Sequence, residues 1–572
     1  MDANLALRAI TLCGIGSYLH GSRLDIKPLT ILCGTNGSGK STWLKAINIL
    51  NRSLDRPDFP FSLSFEDNNF DDLEFTNAAI HLSDPSVPEA SYKDQELKRN
   101  FGLPGTIGLE FEATSDFELS TAEHDDVNRY IEMQKFFWLG KCSKGTRFQV
   151  RISHPTTTWE SSTVCGLRHM VELRVNEEYV ICFEGIDDID SGNSETYSVK
   201  CSAEFVPGIT VIDEAKLIEL AHYQPSRNHV SEFKGVMDEC SVLQVVETAI
   251  TRFRELLSIL LSGFFDISAI RVKHDYSDIM HQDPDRYPFD GDEVINSRHV
   301  GLEGEATWWL QRQFAYMHMD PISECPPHED YLFEGFVAKW LETLLDNVTI
   351  VIDEGHNEDG SLLSRSRGWG DAPTGYLRKD GSNLLGRDRL IEIYEHHYAG
   401  FSSASRIGQK CFGYEPTSPR QMSSGFHQLL PLIVQAGLMW RFEVMAVENP
   451  EVHLHPSLQL RVAEFLMHQA KSGKYMLIET HSDLIIRRVL REILEEKIAL
   501  GQANIGIYFA SLDKLDETYG IYQCSSLERI EIDDHGRIKN WPEGFMDDDV
   551  KESRRLMSIM YGGNTAGEDD EQ

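Results

Sequence analysis

The sequence predicts an α/β fold in which a large mixed α+β insertion splits an N-terminal lobe from a C-terminal lobe. Three observations predict this organisation. A glycine-rich turn near the N-terminus lies between a short apolar run and a helical pattern. Two further short apolar runs in the last third of the chain each end in an acidic residue. The region between the lobes alternates apolar with polar residues, which is typical of antiparallel strands.

The glycine-rich turn has the form of a phosphate-binding loop. Residues 29–33 form a short, mostly apolar run, and residues 34–41 fit G-x-x-x-x-G-K-[ST] without a mismatch before a helical pattern. In such a loop the backbone N–H groups and the helix N-terminus face phosphate oxygens. We expect Lys40 to reach the β- and γ-phosphates, Ser41 to hold Mg²⁺ and Thr42 to add a phosphate contact. The candidate ATP-binding residues are Gly34, Thr35, Asn36, Gly37, Ser38, Gly39, Lys40, Ser41 and Thr42.

The predicted domain boundaries follow changes in this pattern. Residues 1–106 form the N-terminal lobe, residues 107–400 the insertion and residues 401–546 the C-terminal lobe. Within the insertion, strand-like alternation precedes helical patterns at 242–265 and 331–345. We expect the insertion to dock a partner, and residues 547–572 to form a C-terminal helix and a disordered acidic tail.

The C-terminal lobe carries four features in a fixed order. They are a small-residue turn before an apolar helix, an apolar strand with an acidic end, a histidine-rich turn, and a second apolar strand followed by a histidine. In sequence these are Ser423-Ser424-Gly425 with Gln428, Glu448-Asn449-Pro450-Glu451 after residues 444–447, His453-Leu454-His455-Pro456, and Glu479-Thr480-His481-Ser482-Asp483 after residues 475–478.

This order resembles that of ABC-type ATPase heads of the SMC/RecF/OLD-like branch. The resemblance is closer to prokaryotic AAA-family ATPases that carry E-N-P-E-x-H-L-H-P and E-T-H-S-D, and it covers the two lobes well and the insertion weakly. Many such relatives are ATPase subunits of bacterial antiphage defence systems, often encoded with a nuclease or another effector. The resemblance therefore implies an ABC-type ATPase head that uses ATP and Mg²⁺, dimerises and acts on a separate effector.

The resemblance also implies roles for individual residues. Residues 423–425 of one subunit, with Gln428 of the same helix, would cap the γ-phosphate held by the P-loop of the other subunit. Glu448 would help to hold Mg²⁺ together with Ser41. His481 would contact the γ-phosphate or the attacking water.

One departure concerns the acid that polarises the attacking water. Many ABC heads have Asp-Glu at the end of the acidic strand, whereas this chain has Glu448-Asn449. An amide can bond to water but cannot accept its proton. Three interpretations stay open: slow hydrolysis, catalysis by Glu451, Glu479 or His481, or ATP that mainly holds an assembly together. Of these we expect slow hydrolysis.

Two other apolar runs end in Asp-Glu, at residues 209–214 and 349–354. Taken alone, either fits the acidic strand of a P-loop ATPase better than residues 444–449, and Asp353 is the stronger rival. Both precede the turn at residues 423–425, whereas the resemblance places the acidic strand after it. We therefore expect both runs to end in solvated acidic turns.

The composition indicates where the protein is located and which partners it is expected to bind. The chain has 572 residues, a net charge of −37 and ten cysteines without a C-x-x-C pair. The charge disfavours a protein that coats nucleic acid, although it leaves room for a local basic groove that binds DNA or RNA. The N-terminus lacks a signal-peptide pattern, and no apolar run reaches the roughly 18 residues of a membrane span. These features favour a cytoplasmic protein that binds no membrane.

The predicted function is that of an ATP-binding, slowly hydrolysing homodimer or higher homo-oligomer that acts in antiphage defence through a separate effector such as a nuclease. The chain after His481 is too short for the Toprim nuclease domain of OLD-type relatives, so the effector would be another protein. Two alternatives differ in class. One is a DNA-repair ATPase that clamps DNA, and the other is a nearly inert ATP-bound scaffold that silences a toxic partner.

Overall fold

Two large β-sheets pack with helices in the computed structural model of the protein, which describes certain ranges of the chain. The described residues are 5–18, 21–54, 106–118, 141–153, 156–160, 163–187, 196–201, 218–224, 229–230, 250, 253–254, 256–271, 298–307, 310, 314, 333–345, 348–352, 376–377, 383–384, 391–395, 416–417, 423–495, 497–514, 523–533, 538–540, 542 and 548–560.

A six-stranded sheet brings the two predicted lobes together. Its order is β14-β20-β21-β3-β22-β23, and every pair is parallel except the last. Because these strands are parallel, the ends of β3, β20 and β21 meet at one edge, as a composite site at that edge requires. The strands are β3 (Leu29–Gly34), β14 (Phe264–Ile267), β20 (Val444–Glu448), β21 (Tyr475–Glu479), β22 (Ile505–Lys514) and β23 (Gln523–Arg529).

An antiparallel sheet of ten strands contains the alternating segments. It runs β13-β12-β11-β10-β9-β7-β4-β1-β2, with β8 paired to β9. Since β1 pairs with β4 from Leu5↔Ala113 to Cys13↔Thr106, the sheet crosses the predicted boundary after residue 106. The strands are β1 (Leu5–Cys13), β2 (Ser22–Asp25), β4 (Thr106–Ala113), β7 (Arg147–Ser153), β8 (Thr156–Glu160), β9 (Thr163–Val175), β10 (Glu178–Asp187), β11 (Thr196–Cys201), β12 (Ile218–Gln224) and β13 (His229–Val230).

Three small sheets hold the remaining strands of the described residues. One rival to the acidic strand is among them, because β15 pairs antiparallel with β18 and lies outside the six-stranded sheet. Its Asp353, and the other rival at residues 209–214, lie outside the described residues. The strands are β5 (Phe117–Glu118) with β6 (Lys141–Cys142), β15 (Val348–Ile352) with β18 (Ile391–Glu395) and β19 (Pro416–Thr417), and β16 (Tyr376–Leu377) with β17 (Asn383–Leu384).

Capping side chains mark the start of two helices. Ser423 caps one helix by accepting a hydrogen bond from the Phe426 N–H, and His455 caps the next before Pro456. No helix within the described ranges is long and apolar enough to cross a bilayer. The helices are α1 (Lys40–Ser53), α2 (Phe333–Leu345), α3 (Ser424–Leu438), α4 (Pro456–Lys471), α5 (Asp483–Glu495) and α6 (Asp548–Met560), with a 3₁₀ turn at Gln502–Asn504.

The sequence prediction of a helix through residue 265 is wrong at its end. Helical backbone stops at residue 261, and Phe264–Ile267 is β14 of the six-stranded sheet. The physical reason is that Gly263 interrupts the helical run and the apolar residues after it pair with β20. A segment within the predicted insertion is therefore part of the central sheet.

Two hydrophobic cores bury both faces of the six-stranded sheet. In β20, Val444 and Ala446 enter the core shared with α1 and the antiparallel sheet. Met445 and Val447 enter the core shared with α2, α3, α4 and α5. Strands buried on both faces read as continuous apolar runs, which explains why the sequence located β3, β20 and β21. The two cores fix the strand ends that carry the candidate site.

Candidate functional site

The phosphate loop between β3 and α1 needs glycine at defined positions. Gly34 has φ +138°, and a Cβ there would lie 2.0 Å from the backbone oxygen of Ala510. Gly39 has φ +79°, and its Cβ would lie 2.7 Å from the Ser17 Oγ. Any larger residue would clash in both places, so the chain passes close to its neighbours and the N-terminus of α1 stays open.

The side chain of Lys40 folds over this loop. Its Nζ donates hydrogen bonds to the Gly34 oxygen at 3.1 Å and the Thr35 oxygen at 2.7 Å. Burial lowers the Lys40 pKa, and the negative charge of Glu479 opposes that shift. Thr35, Asn36 and Gly37 are exposed beyond it, whereas Ser38 and Thr42 are buried at its base. Lys40 thus holds the cradle in shape and is placed to exchange these carbonyls for phosphate oxygens.

Glu479, at the end of β21, is the acid that touches the phosphate loop. The Ser41 Oγ donates a hydrogen bond to the Glu479 Oε1 at 2.7 Å. The other oxygen, Oε2, is buried and accepts no hydrogen bond from the described residues. Burial raises the Glu479 pKa to about 7, the Ser41 hydrogen bond and Lys40 lower it, and Glu448 raises it. The sequence prediction joined Ser41 with Glu448, whereas in the structure Ser41 bonds to the acid of the neighbouring strand.

Glu448 lies beside Glu479 because β20 and β21 pair in that register. Burial raises the Glu448 pKa, while Lys45 and the N–H of Ala269 lower it. The two carboxylates, which include the unbonded Glu479 oxygen, and the Ser41 hydroxyl form a set of hard oxygen donors, which Mg²⁺ prefers. These residues therefore fit the metal that the resemblance implies.

The loop after β20 is tied to the loop after β21. The N–H of Asn449 donates to the Glu479 backbone oxygen at 2.8 Å, and the N–H of His481 donates to the Glu451 Oε1 at 2.8 Å. Asn449 has φ +42°, and its Oδ1 is buried without a hydrogen bond to the described residues. His481 is exposed, and burial together with the positive charge of Lys40 lowers its pKa. Every predicted catalytic residue except Glu448 thus belongs to one hydrogen-bonded pair of loops.

The small-residue turn before α3 lies at the other end of the same sheet edge. A Cβ on Gly425 would contact Leu454 at 3.4 Å and Leu458 at 3.6 Å, on the histidine-rich turn and the start of α4. Gln428 of the first turns of α3 bonds to Arg271, which follows β14. Since β14 is three strands from β3, about 14 Å at ordinary strand spacing, this turn is remote from its own phosphate loop.

Arg271 is a residue that the sequence prediction missed. It is only 4% exposed, its Nη1 donates to the Gln428 Oε1, and its Nη2 donates to the Glu448 backbone oxygen at 3.1 Å. The one sequence signal was an arginine shortly after an apolar run. The prediction of a helix over that run hid the strand that positions it.

Comparison with known families gives a partial match. Residues 267–487 match the family described as "AAA domain, putative AbiEii toxin, Type IV TA system". This part of the chain is therefore similar to an AAA ATPase domain. This match starts in β14 and ends in α5, so it contains Glu448, Asn449, Glu479 and His481 but not the phosphate loop. Residues 505–556 match a second family, described as "Protein of unknown function (DUF3696)". Among curated proteins none matches.

Solved structures of SMC heads are similar to this chain over most of its length. A head bound to the C-terminal winged-helix domain of ScpA has a TM-score of 0.33 at 9% identity and covers 92% of this chain and 97% of its own. The Thermotoga maritima head has a TM-score of 0.32 at 10% identity and covers 92% of this chain and 100% of its own. A Pyrococcus furiosus head with an extended coiled coil, bound to the C-terminal domain of ScpA, has a TM-score of 0.37 at 9% identity. It covers 97% of this chain and 100% of its own. These scores are low, so the strand order described above carries the fold assignment.

Proposed function

We propose that this ATPase binds Mg²⁺-ATP on its phosphate loop and hydrolyses it slowly at a site that a second copy completes. The proposal rests on one observation above all. The P-loop serine bonds to Glu479 beside Glu448 at the strand ends, while the turn before α3 is about three strand spacings away. A subunit therefore supplies a phosphate cradle and a separate helix N-terminus that cannot both act on one nucleotide of its own.

The first step of the proposed cycle is ATP binding to one subunit. Lys40 turns from the Gly34 and Thr35 oxygens to the phosphates, and the loop N–H groups bind the phosphate oxygens. Ser41, Glu479 and Glu448 would hold Mg²⁺, which neutralises charge on the β- and γ-phosphates when bound.

The second step is closure by the partner. The N-terminus of α3 carries the partial positive charge of a 15-residue helix, and Ser423, Ser424 and Gly425 leave it accessible to a phosphate. In a symmetric dimer each copy would place this turn on the nucleotide of the other. Two ATP molecules would thus be held between two copies.

Slow chemistry follows from the hydrogen bonds around the attacking water. The Asn449 Oδ1 is free to orient a water but cannot take its proton. Glu479 is bonded to Ser41, and Glu451 is bonded to the His481 N–H. Because each nearby acid has another task, we expect turnover below that of a head with a dedicated base.

We further propose that the ATP-bound dimer controls a separate effector protein, such as a nuclease, in bacterial antiphage defence. This step draws on the resemblance of the motifs at residues 448–456 and 479–483, and on the family matched by residues 267–487, whose description names a toxin. The test is co-purification of the chain with products of adjacent genes, in ATP and in ADP. A stable complex whose composition depends on the nucleotide would support the proposal. Identical recovery in both nucleotides, or no bound protein, would contradict it.

Replacing Glu479 with glutamine should weaken Mg²⁺ binding. The amide oxygen can still accept the Ser41 hydrogen bond, but the negative charge is lost, so we expect the Mg²⁺ concentration needed for tight ATP binding to rise about 10- to 100-fold. A Mg²⁺ titration of fluorescent ATP binding measures it. Glu451→Gln is the matched control, because Glu451 bonds to the His481 N–H and not to the P-loop. Equal Mg²⁺ dependence in both variants would remove Glu479 from the metal site.

Gly425→Asp should block ATP-dependent dimerisation without harming the subunit. A Cβ there meets only ordinary contacts at 3.4 Å and beyond, so the backbone should keep its course, whereas a negative charge beside the α3 N-terminus would repel a phosphate. Like charges at an interface cost several kcal/mol, and we expect at least about a hundredfold weaker dimerisation. Gly425→Ala is the steric control. Sedimentation in ATP measures the result, and a normal dimer of Gly425→Asp would refute the composite site.

A further inference from the structure

The segment after β14 connects two regions of the ATPase that the cycle above uses separately. One is α3, whose N-terminus would meet the nucleotide of the partner. The other is Glu448, which belongs to the subunit's own nucleotide site. Arg271 joins them, since its guanidinium donates to the Gln428 side chain and to the Glu448 backbone oxygen.

The same segment holds Glu448 a second time. The N–H of Ala269 donates to the Glu448 carboxylate, which lowers the pKa of that acid against the effect of burial. Glu448 is therefore held by its backbone oxygen and by its side chain from residues 269 and 271. A movement of this short segment would displace the Glu448 carboxylate relative to Ser41.

The Arg271 guanidinium is buried and fixed in position by its hydrogen bonds. It is 4% exposed, and burial lowers its pKa to about 10 while Glu451 and Glu448 raise it, so it keeps its charge at neutral pH. A buried guanidinium with specific acceptors has few alternative positions. It also lines a cavity of about 480 Å³ whose other walls include Ser424, His427 and His453. A phosphate at the α3 N-terminus would therefore lie close to the residue that holds Glu448.

The strand that precedes this segment, β14, is hydrogen-bonded to α1, the helix that follows the phosphate loop. The Asn48 Nδ2 of α1 donates to the Asp266 Oδ2 of β14 at 2.6 Å. Thus β14 is tied to the helix that begins the phosphate loop, and the residues after it are tied to α3 and β20. The link between the two half-sites is short and made of direct hydrogen bonds.

We infer that Arg271 is a positioning residue through which the α3 turn, once it engages the partner's nucleotide, sets Glu448 for hydrolysis in its own subunit. The inference rests on the proposed composite sites. It implies that the two ATP sites of a dimer are coupled. In each subunit the α3 turn contacts the partner's nucleotide, whereas Glu448 acts on the subunit's own nucleotide. In this inference Arg271 acts through Glu448 and not by contact with a nucleotide.

The test compares Arg271→Lys with Gln428→Met and the double variant. Lysine keeps the charge but cannot bridge both acceptors, and Gln428→Met removes only the α3 end of the link. We expect Arg271→Lys to bind ATP and to dimerise in ATP as wild type does, with kcat lower by about tenfold and KM unchanged, and Gln428→Met to lower the kcat of the dimer by a similar factor. The double variant should be no slower than the slower single variant, because both break one link. Turnover is followed in wild-type and in Asn449→Glu backgrounds, so that slow wild-type hydrolysis does not hide the effect.

The outcomes separate this inference from the proposed function. A wild-type chain that stays monomeric in ATP overturns the composite site, and the inference with it. A wild-type dimer whose kcat is unaffected by Arg271→Lys overturns the inference alone. A merely structural role for Arg271 also contradicts it, and would appear as lower thermal stability with loss of ATP binding and dimerisation in proportion to activity.

Discussion

Lys40→Ala is expected to abolish ATP binding while the subunit stays folded. The buried ammonium is the phosphate loop's own charged donor to the nucleotide. Truncating one partner of a buried charge pair costs about 2–5 kcal/mol, which is about 30-fold to several-thousand-fold in affinity. The fold should survive because, among the described residues, the Lys40 ammonium bonds to the loop carbonyls of Gly34 and Thr35 and to no other element. Calorimetric titration with Mg²⁺-ATP measures the affinity.

The matched control for this variant is Lys497→Ala. Lys497 is exposed and pairs with Glu495 at the end of α5, away from the strand ends that carry the site. The Lys497→Ala variant should bind ATP with wild-type affinity. An undiminished affinity of Lys40→Ala would contradict the assignment of residues 34–42 as the nucleotide cradle.

Asn449→Glu is expected to accelerate ATP hydrolysis. It supplies a carboxylate where the Asn449 amide can only orient water, and general-base assistance contributes about 10²–10⁴-fold. The gain should fall towards the lower figure, because Asn449 has φ +42°. Asparagine tolerates this conformation, whereas other side chains pay about 1–2 kcal/mol. Phosphate release under saturating Mg²⁺-ATP measures the rate.

Asn449→Asp separates the effect of adding a carboxylate base from the effect of backbone strain at position 449. Aspartate tolerates the left-handed region as asparagine does and differs from it by one carboxylate oxygen in place of the amide nitrogen. A rate increase in Asn449→Glu with a smaller one in Asn449→Asp fits a base that needs the longer reach. If neither variant exceeds wild type, position 449 does not face the attacking water, and the explanation of slow turnover fails.

The features of the site that the sequence predicted are those encoded locally. The glycines of residues 34–39, the small-residue turn that begins at Ser423 and the apolar runs that form β3, β20 and β21 each follow from neighbouring residues and their period. Burial of these strands on both faces makes the apolar runs continuous, which is why they stand out.

The features that the sequence did not predict depend on strand pairing across the sheet. Nothing near Glu479 indicates that β21 lies directly beside β3, so the bond between Ser41 and Glu479 was not foreseen. Likewise Arg271 gains its partners only because β14 pairs with β20. Long-range register is set by packing of the whole sheet and leaves no local pattern.

The central claim is that two copies complete each other's ATP site, and mixing two inactive variants tests it most directly. Lys40→Ala keeps the α3 turn but lacks the cradle, and Gly425→Asp keeps the cradle but lacks the turn. Each variant alone should stay monomeric in ATP. Mixed, they should form heterodimers with one complete site, whose turnover is at most about half that of wild type and is lowered further by the empty second site if the two sites are coupled through Arg271. A mixture that stays monomeric and no more active than its components would contradict the account.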